Sequence, residues 1–318
     1  MRIGFYVMWR IHSGGVIGDA LVAETLCKNL RKLPHVESAE VYSPDAPIKF
    51  HLDAMVYMNA TQPVREWADK HVLYWQNGTD SNIEEMFKIF YSRDCDGYAF
   101  FSRALLEQHI SSGRKGIYLP FCADTSFYFP RDYEERLDFD VAYVGSDIKG
   151  STTTMRYIYP ALEFDFALFG GWKKPMREKT RIESRPYRKK FESISRGHIP
   201  EADVPAMYSS SKIILNTNIP QSRDLGVVSL RTYQVLACRG FLISDPVHGM
   251  EEELRGKVVF TNGYDDLTDK IKYYLAHDDE RRAIAEKGYN YAVNESQSAA
   301  SVALRLFTYL EELCNDDN

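Results

Sequence analysis

Residues 196–245 constrain the fold more than any other stretch of the chain. They read RGHIPEADVPAMYSSSKIILNTNIPQSRDLGVVSLRTYQVLACRGFLISD. The run 212–216 is short, apolar and β-branched, which predicts a buried strand. Asp224-Leu225-Gly226 predicts a loop, and Ser229 the cap of a helix that runs to Cys238 and ends at Gly240. Residues 241–245 predict the next buried strand, and the loop Gly197-His198-Ile199-Pro200 is expected to end a strand and to precede a helix. A strand, a loop and a helix N-terminus in succession make a place for an anion, because free N–H groups point outward and the helix dipole favours negative charge. Arg231, in the first turn of that helix, opposes the dipole unless something negative faces it. A phosphate removes the conflict.

The rest of the chain repeats the same alternation. Strands are predicted at 3–8, 37–42, 54–57, 72–75, 97–101 and 116–119, with helices at 18–33, 82–91 and 104–111. The polar run 130–136 reads as a linker. A second half then starts again, with strands at 139–144 (ending at Gly145), 164–169 (ending at Gly170-Gly171) and 257–261, and a helix at 153–162. The tail from 265 to 313 is mostly helical. Strands separated by helices imply parallel sheets with right-handed crossovers. The expected fold is therefore α/β, with two Rossmann-like parallel-sheet domains at 1–130 and 137–318 facing a cleft. The closing helices belong to the second domain, and the last of them is a candidate to return to the first. Such a protein binds its ligand beyond the C-terminal ends of the strands.

Composition removes several functions. A net charge of −6 argues against a nucleic-acid partner. No apolar run approaches a membrane span, and the first residues are too short a run for a signal peptide. Five scattered cysteines without a C-x-x-C pair suggest neither zinc nor a disulfide framework, and they fit a reducing cytoplasm.

The order of several short motifs resembles the sugar-nucleotide half of a GT-B glycosyltransferase, most like the CgeB-type (spore maturation protein CgeB-like) group. The residues are Gly197, Tyr208, Ser211-Lys212-Ile213, Leu215-Asn216, Arg231-Thr232-Tyr233-Gln234 and Ala237-Cys238-Arg239-Gly240-Phe241-Leu242. Leu119–Asp124, Phe129-Pro130, Leu168–Trp172 and Arg281-Arg282 continue it over most of 115–312. Three residues depart from the pattern. Gln234 stands where a Glu usually holds the ribose, Arg239 replaces a Gly, and Gly226 occupies the first Glu position of an E-x7-E pair. The resemblance implies a sugar donor carried on a nucleotide diphosphate, UDP- or GDP-linked, with no other cofactor and with a sugar-containing or lipid-linked acceptor. It implies donor contacts from Gly145, Gly170, Gly226, Val227 and Gln234, and from the His198-Ile199 loop beside the base.

The remaining candidates each have a plainer reading. Gly14-Gly15, in the loop after the first strand, resembles the glycine loop that approaches the donor pyrophosphate; alternatively it is a tight turn. His12 can take a proton from an acceptor hydroxyl, and Asp19 can do the same or cap a helix. Trp75–Asp80 offers an aromatic beside amides and a carboxylate, which suits a sugar, or else a core Trp and an Asn-Gly turn. Residues 172–190 hold nine Lys or Arg against two Glu. Lys173 and Lys174 are the candidates there for donor phosphates, and the whole segment for peripheral membrane contact; a solvated loop is the alternative. Asp94-Cys95-Asp96 and Asp138-Phe139-Asp140 have the D-x-D form without its usual place after a strand, so no metal is expected. A non-catalytic nucleotide-sugar or partner-binding protein, or a GT-B epimerase, remain as rivals.

Overall fold

The computed structural model describes residues 1–11, 18–76, 82–172 and 187–315, among which eleven strands form two all-parallel sheets. His12, Gly14, Gly15, Asn77–Asp80, Lys173, Lys174 and most of the basic segment lie outside the described residues. Contacts divide the chain into two units. One comprises Met1–Cys122, Leu225–Val227 and Glu295–Asn318; the other comprises Ala123–Asp224 and Val228–Asn294.

The first unit is built on β1 (Arg2–Tyr6), β2 (Ser38–Tyr42), β3 (Leu52–Tyr57), β4 (Ala68–Trp75), β5 (Gly97–Phe100) and β6 (Ile117–Tyr118). Their order in the sheet is β2-β1-β3-β4-β5-β6. Helices α1 (Gly18–Leu30), α2 (Ile83–Tyr91) and α3 (Arg103–Ser111) make the crossovers. Asn82 and Ser102 cap α2 and α3, their side chains accepting from Glu84 and Glu85 and from Leu105.

The second unit carries β7 (Val141–Val144), β8 (Phe166–Phe169), β9 (Ile213–Asn216), β10 (Leu242–Ser244) and β11 (Val259–Phe260), in the order β11-β10-β9-β7-β8. Its helices are α4 (Ser151–Tyr157), α5 (Arg188–Ile194), α6 (Val204–Ser210), α7 (Pro220–Asp224), α8 (Leu230–Ala237), α9 (Glu251–Leu254), α10 (Asp265–Ala276) and α11 (Asp278–Val293). The core under this sheet gathers Val141, Tyr143, Leu168, Trp172, Phe191, Ile213 and Ile243. The final helix, α12 (Ala299–Asn315), belongs to the first unit and packs on α1 and β4. There the Tyr309 hydroxyl accepts the Tyr98 N–H at 3.0 Å.

Three local expectations change. The helix expected at 153–162 breaks into α4 and a 3-10 turn, Tyr159–Glu163, because Pro160 cannot continue the hydrogen-bond ladder. The strand expected to lead into Gly197 shrinks to one bridge, Leu168 to Ser195. Residues 130–136, expected as a free linker, are fastened to the second unit. Arg131 and Glu134 N–H groups donate to Ser209 and Ser210 hydroxyls at 3.0 Å, and Arg136 pairs with Asp203.

Candidate functional site

In the second sheet the chain leaves β7 for β8 on one side and later returns to β9 on the other. The strand order therefore reverses between β7 and β9, where a crevice forms beyond the strand ends. Pairing between the two covers only Val141–Ile213 and Ala142–Ile214, so their C-terminal ends are free to part. Tyr143 projects from one lip. Asn216 and Thr217 stand on the other.

Two cations converge on this opening. Lys149, in the 3-10 turn after β7, donates from Nζ to the Thr217 carbonyl and lies 3.5 Å from the Tyr143 hydroxyl. Arg231, in the first turn of α8, donates from Nη1 to Asn216 Oδ1 at 3.2 Å. The Lys149 ammonium and the Arg231 guanidinium lie 5.7 Å and 5.6 Å from the Tyr143 ring centroid. Neither cation forms an ion pair with a carboxylate among the described residues.

The electrostatics agree with that geometry. Burial holds the Lys149 ammonium below the usual lysine range; Tyr143 opposes this and nearby Arg231 adds to it. Burial raises the Tyr143 phenol, but Lys149 and Arg231 together outweigh it, and the net shift is downward. The one buried carboxylate nearby, Asp245, is occupied. It accepts the Asn218 N–H at 3.0 Å, Asn218 Nδ2 at 2.8 Å and the Ser244 hydroxyl at 3.2 Å. Burial raises its pKa, while Asn218 and Lys149 pull the other way. Asp245 thereby fixes the turn after β9 that turns the Thr217 carbonyl toward Lys149. Among the described residues two cations face the crevice, while the buried carboxylate of Asp245 is already hydrogen-bonded.

The N-terminus of α8 adds backbone donors. Ser229 occupies the cap position in extended conformation, but its hydroxyl does not cap the helix as expected. It donates instead to Asn216 Oδ1 at 3.3 Å and lies 3.2 Å from the Thr232 hydroxyl. The first amides of α8 consequently lack a side-chain acceptor.

Residues 155–306 match the family model described as "Glycosyl transferase-like". Solved structures align over nearly the full chain. Sucrose-phosphate synthase from Thermosynechococcus elongatus is 14% identical, with a TM-score of 0.71 over 98% of each chain. HepE of Anabaena, in complex with UDP-glucose, is 12% identical, with a TM-score of 0.70 over 98% of this chain and all of its own. A glycosyltransferase from Rickettsia africae is 14% identical, with a TM-score of 0.64 over 99% of both chains. The chain has the GT-B fold, and its residues 155–306 are similar to that family. No curated protein matches its sequence.

In this chain the donor residues that the resemblance implies fall in both units. Arg231 sits in the crevice, and Gln234 is half-buried one turn further along α8. Gly145 and Gly170 follow the ends of β7 and β8. Their N–H groups are spent on the Phe169 and Gly197 carbonyls, at 3.0 and 2.7 Å. They supply room: Gly170 has φ of +119°, and a Cβ there would lie 1.8 Å from the Gly145 oxygen. His198 is exposed and Ile199 half-buried in the loop beyond Gly197. Gly226 and Val227 group with the first unit, where the Ser102 hydroxyl donates to the Leu225 carbonyl at 2.5 Å. Asp19 also belongs to the first unit. It lies in the first turn of α1 and accepts Asn59 Nδ2 at 2.9 Å.

Both D-x-D acid pairs are engaged by protein groups. Asp94 and Asp96 take Arg65 at 3.3 and 3.1 Å, Asp138 takes the Tyr133 hydroxyl at 2.8 Å, and Asp140 takes Lys212 at 2.7 Å. Among the described residues no three His, Cys, Asp or Glu side chains gather to hold a metal, and no helix is long and apolar enough to cross a membrane.

Sequence reasoning missed Lys149, Tyr143 and Thr217. A signal for Lys149 existed: a single Lys beside Gly150, in the loop following a predicted buried strand.

Proposed function

We propose that this chain is a CgeB-type glycosyltransferase that moves a sugar, a hexose by preference, from a nucleotide-diphosphate sugar to a hydroxyl of a glycan, glycolipid or protein-borne glycan. The observation that carries the reading is the pair Lys149 and Arg231, two cations without a carboxylate partner at the β7–β9 switch point. Charge accumulates on the departing diphosphate as the glycosidic bond breaks. Fixed cations and helix amides aimed at it lower the barrier more than they strengthen ground-state binding.

The same pair supports a mechanism without a divalent ion, since two side-chain charges neutralise what a metal would. UDP is the favoured diphosphate because HepE is solved with UDP-glucose. Lys173 and Lys174, with the basic segment 172–190, remain candidates for further phosphate contact or for peripheral membrane contact by a cytoplasmic enzyme. His12 and Asp19 remain candidates for receiving the acceptor proton, and Gly14-Gly15 for closing over the donor.

One observation favours a second reading, a nucleotide-sugar-binding protein without transfer. Gln234 presents a neutral amide in the turn of α8 after Arg231, and a neutral acceptor holds a ribose hydroxyl less firmly than a carboxylate does. Thermal-shift binding of UDP, GDP, ADP, TDP and CMP, with and without Mg²⁺, is the deciding measurement. One diphosphate should raise the melting temperature without Mg²⁺ and lose that effect in Lys149→Ala. No shift with any of them overturns the donor site. A shift without donor turnover selects the second reading.

A further inference from the structure

Tyr6 and Tyr42 end β1 and β2, and beside them in the first unit lies a pocket of about 250 Å³. Trp67 closes it from the 3-10 turn before β4, with Pro44, Pro47 and Ile48 as the remaining apolar walls. Among the described residues no charged side chain lines it. The Tyr6 and Trp67 rings stand 5.1 Å apart at 46°, so two aromatic surfaces meet at an angle. The wall carrying the prolines is held firmly. Ser43 and Ala46 exchange backbone hydrogen bonds of 3.1 and 3.0 Å, and Asp45 accepts the Ser43 hydroxyl at 2.6 Å and the Ile11 N–H at 3.0 Å.

The polar groups of the pocket separate its possible occupants. The Tyr42 hydroxyl is taken by Glu40 at 3.3 Å. The Tyr6 hydroxyl and the Trp67 indole N–H have no protein partner among the described residues. An acyl chain would leave both unpaired at a cost, and an anion would find no cation. A pyranose meets every condition. Its C–H face lies against aromatic rings, and its hydroxyl rim accepts from the indole and exchanges with the phenol.

We infer that this pocket binds one pyranose residue of a saccharide. The inference rests on the transfer reading only in naming that saccharide the acceptor.

The test uses the full chain, with intrinsic tryptophan fluorescence and saturation-transfer NMR. The probes are methyl pyranosides of glucose, galactose, mannose and N-acetylglucosamine, and disaccharides of each. At least one should bind the wild type. Tyr6→Phe keeps the ring and should weaken binding roughly two- to tenfold, the worth of one hydrogen bond. Trp67→Ala should weaken it by more than about tenfold, with Trp67→Phe recovering part of the loss.

No saccharide signal up to tens of millimolar overturns the inference. So does binding that ignores both substitutions, or a proline-rich peptide that binds where the sugars do not. The nucleotide-diphosphate thermal shift, run in parallel, separates the two readings. A diphosphate hit without a saccharide hit sinks the pocket alone. The reverse sinks the transferase reading and leaves a sugar-binding site.

Discussion

Each unit buries a tyrosine beside a basic side chain, and the two pairs are finished differently. In the first, His71 is fully buried and closed on every side. Its Nε2 faces the Ala68 carbonyl at 3.0 Å and must donate, so Nδ1 accepts from the Tyr57 hydroxyl at 3.0 Å. Tyr57 in turn accepts the Val64 N–H at 3.1 Å. In the second, Tyr143 has Lys149 and Arg231 around it, and neither forms an ion pair among the described residues. Burial lowers the pKa of both bases. Only the second pair leaves charge unanswered. Saturated polar groups hold a fold together, whereas a surplus of one sign is a cost that a ligand of the other sign removes.

The largest effect follows from that surplus. Arg231→Ala and Lys149→Ala should each lower kcat/KM for donor turnover by about 10²–10³, the usual loss on removing a group aimed at developing charge. Folding stability should hold or rise, because each substitution relieves a buried or half-buried cation of its desolvation cost. Steady-state turnover and a melting curve on the same preparation check both. A fall in activity matched by a fall in stability would make the Tyr143 cluster structural, and the contrast with His71 would vanish.

Most of the fold was legible because strands and helices leave local signatures. All eleven strands fall within or overlap predicted runs, since short β-branched segments such as Ile213–Asn216 between helical patterns have little alternative. The family model and the similar structures agree with that α/β reading. The site was less legible. Arg231 stood out because it opposes a helix dipole, a conflict visible in one segment. Lys149 acquires its meaning only when Thr217 and Tyr143, far off in sequence, are brought to it by β9 pairing with β7. The dense cations of 172–190 drew attention by number, yet charge in a run is usually solvated. One buried lysine at the switch point says more. Gly145 and Gly170 show what a sequence leaves open, since a glycine that makes room for backbone looks the same in sequence as one that admits phosphate.

His71→Ala should act in the opposite sense to the crevice substitutions. It leaves the Tyr57 hydroxyl without its acceptor and the Ala68 carbonyl without its donor, and it opens a cavity. Together these should cost about 2–4 kcal/mol in urea unfolding. Nucleotide-diphosphate affinity of the folded fraction should stay at the wild-type value. A loss of affinity without a loss of stability would mean that the closed pair serves the ligand after all.

The smallest effects are those of pH, and they should appear at opposite ends of the scale. His71 and His109 both have folded-state pKa values lowered chiefly by burial. The unfolded chain therefore binds protons before the folded one. Their contribution to stability is complete above the ordinary histidine value near 6.5 and is lost as pH falls from there through the folded values. Each histidine adds a slope of at most about 1.4 kcal/mol per pH unit within that window. Lys149 is lowered as well, so below its ordinary lysine value its burial costs stability, and that cost fades as pH rises through the window. Its effect on ligand has the reverse sign, because a diphosphate needs the ammonium. Affinity should decline as pH rises through the folded value of Lys149, which lies below that of free lysine, and Lys149→Arg should abolish the decline. Urea unfolding from pH 7 to 5, with diphosphate titrations from pH 7 to 10, reads the two ends separately. Diphosphate affinity that tracked the histidine window instead would place the binding charge outside the Lys149–Arg231 crevice.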